Sequence, residues 1–289
     1  MMYVVFEAGS RAGLSAMLFF LHYVKKENTN DVLIMVDSDE SFVKSFSGKY
    51  DRVTVLSEKN WYNYVLQFDP EEIAAFPADE LTRQKCVPIA DEWWNKVRPE
   101  FYNKQYVNSQ LEAAGIRVPK TFDVADHVIV KPNTLSAGSK GISIFDNVCV
   151  SERIEIAHEY VIDCFHNPGV QTEIHARETK LKNGYDKYIR MVPHTDKVYD
   201  FAKHVLVDSP INGMFQGPCH LQVAEDKDGR LYYIEGSKRI SGTSLVNLLY
   251  GYNPFLSIAG KSMRLEGTYP YDEWCSFEHM FGQVWRSIL

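Results

Sequence analysis

Apolar positions recur along this chain in two different rhythms. Up to about residue 98, short runs rich in β-branched and aromatic residues at 3–6, 32–36, 52–56 and 73–76 alternate with longer segments of helical period. That alternation predicts a parallel, Rossmann-like sheet. Its opening unit is a strand at 3–6, a turn at Gly9-Ser10 and a helix over 14–23. Pro99 marks a boundary, and 101–114 reads as a helix ended by Gly115, with an extended segment at Pro119. Beyond it the rhythm becomes one of strands and turns. A β-branched run ends in Lys131-Pro132, and a small-residue loop, Ser136-Ala137-Gly138-Ser139-Lys140-Gly141, precedes another short apolar strand. Strands at 170–179 and 187–192 flank an Asn183-Gly184 turn, and strands at 220–224 and 231–235 flank a turn over 226–229. A helix over 244–250 closes at Gly251. The tail, with Trp274, Phe277, Phe281 and Trp285, reads as docking on a core or a partner.

Composition narrows the class. With 289 residues, 45% hydrophobic and 24% charged, the chain can bury one or two substantial cores. A net charge of −7 argues against a general nucleic-acid or anionic-membrane surface, which needs clustered Lys and Arg. The five cysteines are scattered and form no C-x-x-C pair, which suits a reducing cytoplasm and argues against structural zinc. No H-E-x-x-H and no G-x-S-x-G occurs. The loop Gly9-Ser10-Arg11-Ala12-Gly13 could receive an anion at a helix N-terminus or be a tight turn. It is not G-x-G-x-x-G, so it speaks little for NAD. The apolar N-terminus has no early basic region and is interrupted by Glu7 and Arg11, so a signal peptide is not expected. No run approaches the roughly 20 apolar residues of a membrane span. The expected location is cytoplasmic, with no membrane or nucleic-acid partner.

Candidate chemistry concentrates in two places. Alternate residues of a strand share a face, so Gln222 and Glu235, on adjacent strands, can point at one spot, with Ser237 and Arg239 just beyond. Oxygen ligands backed by an arginine suit Mg²⁺ carrying phosphates, and an ordinary hairpin with a surface carboxylate is the competing reading. Around the loop 136–141, small residues let backbone N–H groups approach an anion, and Lys131 and Lys140 add positive charge. The loop lacks the G-K-[ST] of a P-loop and reads as a flap between strands. Arg177 and Arg190 lie on predicted strands, where they can grip a substrate carboxylate or a γ-phosphate, or be paired surface residues.

In this order the two segments resemble the ATP-grasp superfamily, and within it domains like the carbamoyl phosphate synthase large chain, over about residues 101–254. Asn103-Lys104 with Gly115-Ile116-Arg117-Val118-Pro119 looks like the family's entry helix, and residues 152–160 look like its adenine hinge. The resemblance implies an N-terminal Rossmann-like pre-ATP-grasp α/β domain (1–98) followed by a two-lobed, α+β ATP-grasp domain (99–289). Its flap subdomain would span about 120–155 and its large subdomain about 156–289. It implies ATP contacts from Lys104, Lys131, the flap residues Ser136, Ala137, Gly138, Ser139 and Gly141, and from Glu152, Ile154 and Glu159. Gln222 and Glu235 would hold Mg²⁺, and Arg239 would act on the reacting phosphoryl group. The chain departs from the family where E-x-N-x-R becomes Glu235-Gly236-Ser237-Lys238-Arg239. A serine hydroxyl is a weaker metal ligand than an amide carbonyl, so one or two Mg²⁺ ions are implied. Ile156 or Ala157 stands where the hinge normally has glycine, and the link 146–151 is too short for the usual helix.

The implied activity is that of an ATP-dependent carboxylate–amine ligase, which activates a small-molecule acid as an acyl phosphate for attack by an amine. The alternatives are phosphoryl transfer ending at a phosphate ester or carbamoyl phosphate, and a nucleotide-binding module without turnover. Small-molecule acid and amine partners are expected, and a homodimer is compatible with the aromatic tail.

Overall fold

The computed structural model describes residues 1–77, 83–86, 89, 99–121, 128–132, 148–167, 169, 171–182, 185–261 and 273–288. The flap residues Ser136, Ala137, Gly138, Ser139, Lys140 and Gly141 and the Asn183-Gly184 turn lie outside them. In chain order the elements begin β1 (Met2–Phe6), α1 (Arg11–Glu27), β2 (Val32–Asp37), α2 (Glu40–Phe46), β3 (Val53–Ser57), α3 (Trp61–Val65), β4 (Ile73–Phe76) and α4 (Arg83–Cys86). Then follow α5 (Lys104–Ala113), β5 (Val128–Pro132), β6 (Val148–Glu152), β7 (Ile156–Asn167), β8 (Gln171–Lys182), β9 (Tyr185–Met191) and α6 (Lys197–Lys203). The last are β10 (Gly217–Asp226), β11 (Leu231–Ser237), α7 (Pro254–Ile258), β12 (Cys275–Ser276) and α8 (Phe277–Ile288). The strands at 170–179 and 187–192 in the sequence reading correspond to β8 and β9, and residues 244–250 form a 3₁₀ helix.

The chain forms two compact units. One comprises Met1–Lys96 with Arg239–Tyr269 and Phe277–Leu289, and the other Val97–Lys238 with Pro270–Ser276. The first boundary lies beside Pro99. The later segments, which the sequence reading gave to the second domain, group instead with the first unit. The cause is packing. Tyr3 and Phe20 hold Phe255 of α7 edge-on at 4.9 and 5.8 Å, Ser15 Oγ donates to the Gly242 carbonyl at 3.2 Å, and Arg11 lies 4.8 Å above the Phe277 ring.

The first unit is a parallel sheet of order β3-β2-β1-β4. Every residue of β1 is buried, as in a sheet covered on both sides. Val4, Phe6, Ile34, Val36, Ile73 and Ala75 meet Trp61 and Val65 in one core. Helix α1 closes on the β1 end because Gly13 has no Cβ. One built there would meet Ala8 backbone atoms at 2.6 Å. The turn before it is tied internally. The Gly9 amide donates to Asp37 Oδ2 at 2.6 Å and the Gly13 amide to Ser10 Oγ at 3.0 Å. In α8, Met280, Val284 and Ile288 are buried, while Phe277, Phe281 and Trp285 form a ladder of rings 5.8 and 6.2 Å apart.

The second unit is built on an antiparallel sheet of order β11-β10-β7-β8-β9-β12, with β5 and β6 as a separate antiparallel pair. One face of the large sheet is apolar. Ile162 and Cys164 of β7, Ile174 and Ala176 of β8, and Leu221 and Val223 of β10 pack with Val107 and Leu111 of α5 and Val198 and Ala202 of α6. Asn103 caps α5 by accepting from the Tyr106 amide at 3.0 Å, and Gly115, at φ +79°, ends it in the left-handed region. The edge of β11 is extended by the entry segment, where the Tyr233 amide donates to the Arg117 carbonyl at 2.9 Å.

Buried histidines make this fold sensitive to acid. Burial, and secondarily the nearby His194, pushes His175 down to about 3, and burial lowers His166 as well. Between pH 6.5 and about 3 the unfolded chain takes up a proton at His175 that the folded chain refuses, so stability falls as pH falls through that window. One such group contributes up to about 1.4 kcal/mol per pH unit. The melting temperature should drop steadily from pH 7 to pH 5, and His175→Gln should flatten that slope. An unchanged slope in the variant would remove His175 as its source.

Candidate functional site

The second face of the large sheet is polar, and its side chains fall into rows set by register. Glu235 of β11 stands opposite Gln222 of β10, which stands opposite Val161 of β7, which stands opposite Arg177 of β8. In one direction, two residues along β10, β7 and β8 and three along β11 because of a bulge beside Gln222, the row is Tyr232, Ala224, Glu159 and Thr179. Two residues along in the other direction it is Ser237, His220, Asp163 and His175. Opposed residues share a face, and rows two residues apart lie roughly 7 Å from one another. The structure therefore brings Gln222, Glu235 and Ser237 together and places Glu159 one row away, toward β8.

A glycine enforces this presentation. Gly236 lies opposite Leu221 on the apolar face, where a Cβ would meet Phe215 Cε1 at 2.5 Å and Tyr233 Oη at 2.7 Å. Tyr233 is buried, and burial, aided by the Glu235 charge, raises its hydroxyl pKa, so it stays neutral. Gly236→Ala should push β11 off Phe215 and misplace both Glu235 and Ser237. The expected loss is about 1–3 kcal/mol of stability, the usual cost of overpacking. Wild-type melting in that variant would contradict the close contact.

Positive charge reaches the plate from α5. Lys104, the first residue after the Asn103 cap, places its Nζ 3.5 Å from Glu235 Oε2. The N-terminal end of a helix adds a favourable field for anions there. Lys131 lies in β5 opposite Cys149 of β6. Glu152 ends β6, and residues 153–155, with Ile154 among them, form the link to β7. The Glu152 amide donates to the Lys120 carbonyl at 2.7 Å, and its carboxylate accepts from the Lys120 amide at 3.4 Å. Glu152 also lines a cavity of about 500 Å³ with Ile116, Val118, Lys120, Arg230 and Tyr232.

The two candidate substrate arginines have acidic partners. Arg177 is fully buried and ion-paired to the equally buried Asp163. Arg190 of β9 pairs with Glu178, which also holds His158 Nδ1 at 2.7 Å, and its guanidinium lies 5.5 Å from the Trp274 ring. The sequence left open pairing at the surface; Arg177 is instead paired in a buried place, because β7 and β8 lie side by side in the sheet. Arg239 lies two residues beyond the end of β11, falls in the first unit, and donates through Nη1 to the Ile240 carbonyl at 3.3 Å. Sequence reasoning passed over Asp163, His220 and Tyr232. His220 was within reach, because it lies two residues before Gln222 and so shares its face.

Gln222 and Glu235 suit a hard divalent cation. Both side chains are part-exposed oxygen donors in direct register. Mg²⁺ is usually held by one or two carboxylates while phosphates and water complete its shell. Among the described residues no group of three or more His, Cys, Asp or Glu side chains forms an all-protein cage.

Comparison with known structures identifies the architecture. The chain has the ATP-grasp fold, with the parallel sheet of its first unit in the place of a Rossmann-like N-terminal domain. It superposes on N5-carboxyaminoimidazole synthetase from Staphylococcus aureus in complex with ADP at a TM-score of 0.61, with 13% identity, over 91% of this chain and 78% of that one. An ATP-grasp superfamily protein from Archaeoglobus fulgidus matches at 0.60, with 14% identity, over 96% and 98% of the two chains. L-amino acid ligase from Bacillus licheniformis matches at 0.62, with 14% identity, over 94% and 78%. No family model matches the chain, and no curated protein matches its sequence. No helix among the described residues is long and apolar enough to cross a membrane.

Proposed function

We propose that this protein is an ATP-dependent carboxylate–amine ligase acting on small molecules. The observation that carries the reading is the register of Gln222 opposite Glu235, with Lys104 3.5 Å from the Glu235 carboxylate, on the polar face of an ATP-grasp sheet. Synthetases and an amino acid ligase among the similar structures support it.

In this reading Glu159 receives the ribose hydroxyls, the link around Ile154 and the Glu152 cavity receive the base, and Lys104 and Lys131 offset the phosphate charge. Gln222 and Glu235 would hold Mg²⁺, which would supply charge neutralisation for the phosphates. A carboxylate oxygen of the acid attacks the γ-phosphorus and ADP leaves. The amine then attacks the acyl carbon, the C–O bond to phosphate breaks, and phosphate departs. Arg239 offers forked donors to the phosphoryl group in transfer. No side-chain nucleophile is needed.

Ser237 in place of asparagine favours a second reading, a nucleotide-binding module without turnover. A third is transfer that stops at a phosphate ester or carbamoyl phosphate. Release of ADP and phosphate, followed over a panel of acids with and without amines, separates them. Amine-dependent phosphate release supports the ligase, amine-independent ADP formation the third reading, and ADP binding without turnover the second. Lys131→Ala should weaken ATP binding about tenfold or more while the melting temperature holds, in line with the loss of a charged hydrogen bond. Unchanged affinity would take Lys131 out of the site.

A further inference from the structure

We propose that His220 gives the cation plate a nitrogen donor and biases it toward Mn²⁺ over Mg²⁺. The inference rests on reading Gln222 and Glu235 as a nucleotide–metal site. His220 and Gln222 are two residues apart on β10, as Glu235 and Ser237 are on β11, and they pair as Gln222 with Glu235 and His220 with Ser237. Four side chains thus form a two-by-two array on one face. Opposed Cβ atoms in such a pair are about 5 Å apart, and neighbours along a strand about 7 Å. Side chains of these lengths can converge on one ion at ligand distances of about 2.0–2.2 Å.

The array is lopsided in its chemistry. It holds one carboxylate, one amide, one hydroxyl and one imidazole. Ser237 is the weakest oxygen donor of the set, and the imidazole stands directly opposite it. On the far side of His220, in the same row, lies Asp163, which is buried and ion-paired to Arg177. An imidazole in place of a second oxyanion favours first-row transition ions, whereas Mg²⁺ prefers oxygen throughout. His220 is only 6% exposed, while Gln222 and Glu235 are part-exposed.

The test uses the full chain with Mn²⁺ and ADP. Electron spin-echo modulation of the bound Mn²⁺ should show a directly coordinated nitrogen. That coupling should change on ¹⁵N-histidine labelling of the wild-type protein and vanish in His220→Asn. By calorimetry, ADP should bind about tenfold more tightly with Mn²⁺ than with Mg²⁺, the size of a typical ligand effect, and His220→Asn should bring the ratio near one. Labelling needs no substitution, so a variant that fails to fold leaves the proposal open to refutation. A spectrum unchanged by labelling while Mn²⁺ and ADP are bound overturns the role of His220 alone. So does a histidine coupling that survives in His220→Asn, or equal affinity with the two ions. Failure of ADP to bind with either ion overturns the nucleotide-site reading beneath it.

Discussion

Arg239→Ala should slow ATP turnover by about 10²–10³ while leaving ADP affinity within a few fold, because a donor aimed at developing charge acts chiefly in the transition state. Arg239 stands four positions beyond Glu235 and two beyond the end of β11. Its guanidinium can offer two parallel N–H donors to a phosphoryl group in transfer, which a lysine cannot. Arg239→Lys should therefore recover only part of the rate. The comparison calls for single-turnover ADP formation with an active acid and amine pair, alongside equilibrium ADP binding. A variant with near-normal turnover would remove the catalytic role of Arg239 and strengthen the reading as a binding module.

The second large effect concerns stability. Arg177→Met should destabilise the second unit by about 3–5 kcal/mol, since it strands the Asp163 carboxylate in a buried place. Arg177 is 0% and Asp163 1% exposed in their ion pair. Replacing both, as Arg177→Met with Asp163→Leu, should recover most of that loss, because apolar pairs of similar volume commonly match buried ion pairs. Urea unfolding of the two variants checks the sign and the recovery. A single substitution costing under about 1 kcal/mol would mean that Asp163 is well satisfied without Arg177. The pair lies in the rows beside Gln222 and His220, so under the proposed ligase reading the single variant should also loosen metal-dependent ADP binding.

Local pattern was enough for many elements of the two units. The β-branched runs of β1 to β4, the helical segment closed by Gly115 and the hairpin of β10 and β11 all follow from side-chain period and turn residues. Alternation along each strand and a short connection suggested that Gln222 and Glu235 share a face. The register that sets them opposite each other also needs the bulge between Gln222 and Val223, without which Glu235 would stand opposite Leu221, so tertiary pairing decided that match. Lys104 was named through resemblance, but its approach to Glu235 is a contact across about 130 residues of sequence, and no local pattern encodes it.

What the sequence determined by itself, then, is whatever depends on neighbours within a few residues: strand and helix identity, caps, turns and which side chains share a strand face. Tertiary structure alone decided the rest. The sequence left Arg177 open between gripping a substrate and pairing at the surface, and it was the pairing of β7 with β8 that brought the buried Asp163 beside it. The segments 239–269 and 277–289 follow the second unit in sequence yet join the first, because Phe255, Gly242 and Phe277 bury their surfaces against Tyr3, Ser15 and Arg11. The physical reason is the same in each case. Burial and charge pairing are settled by groups far apart in the chain, and only the folded packing brings them within a few ångströms of one another.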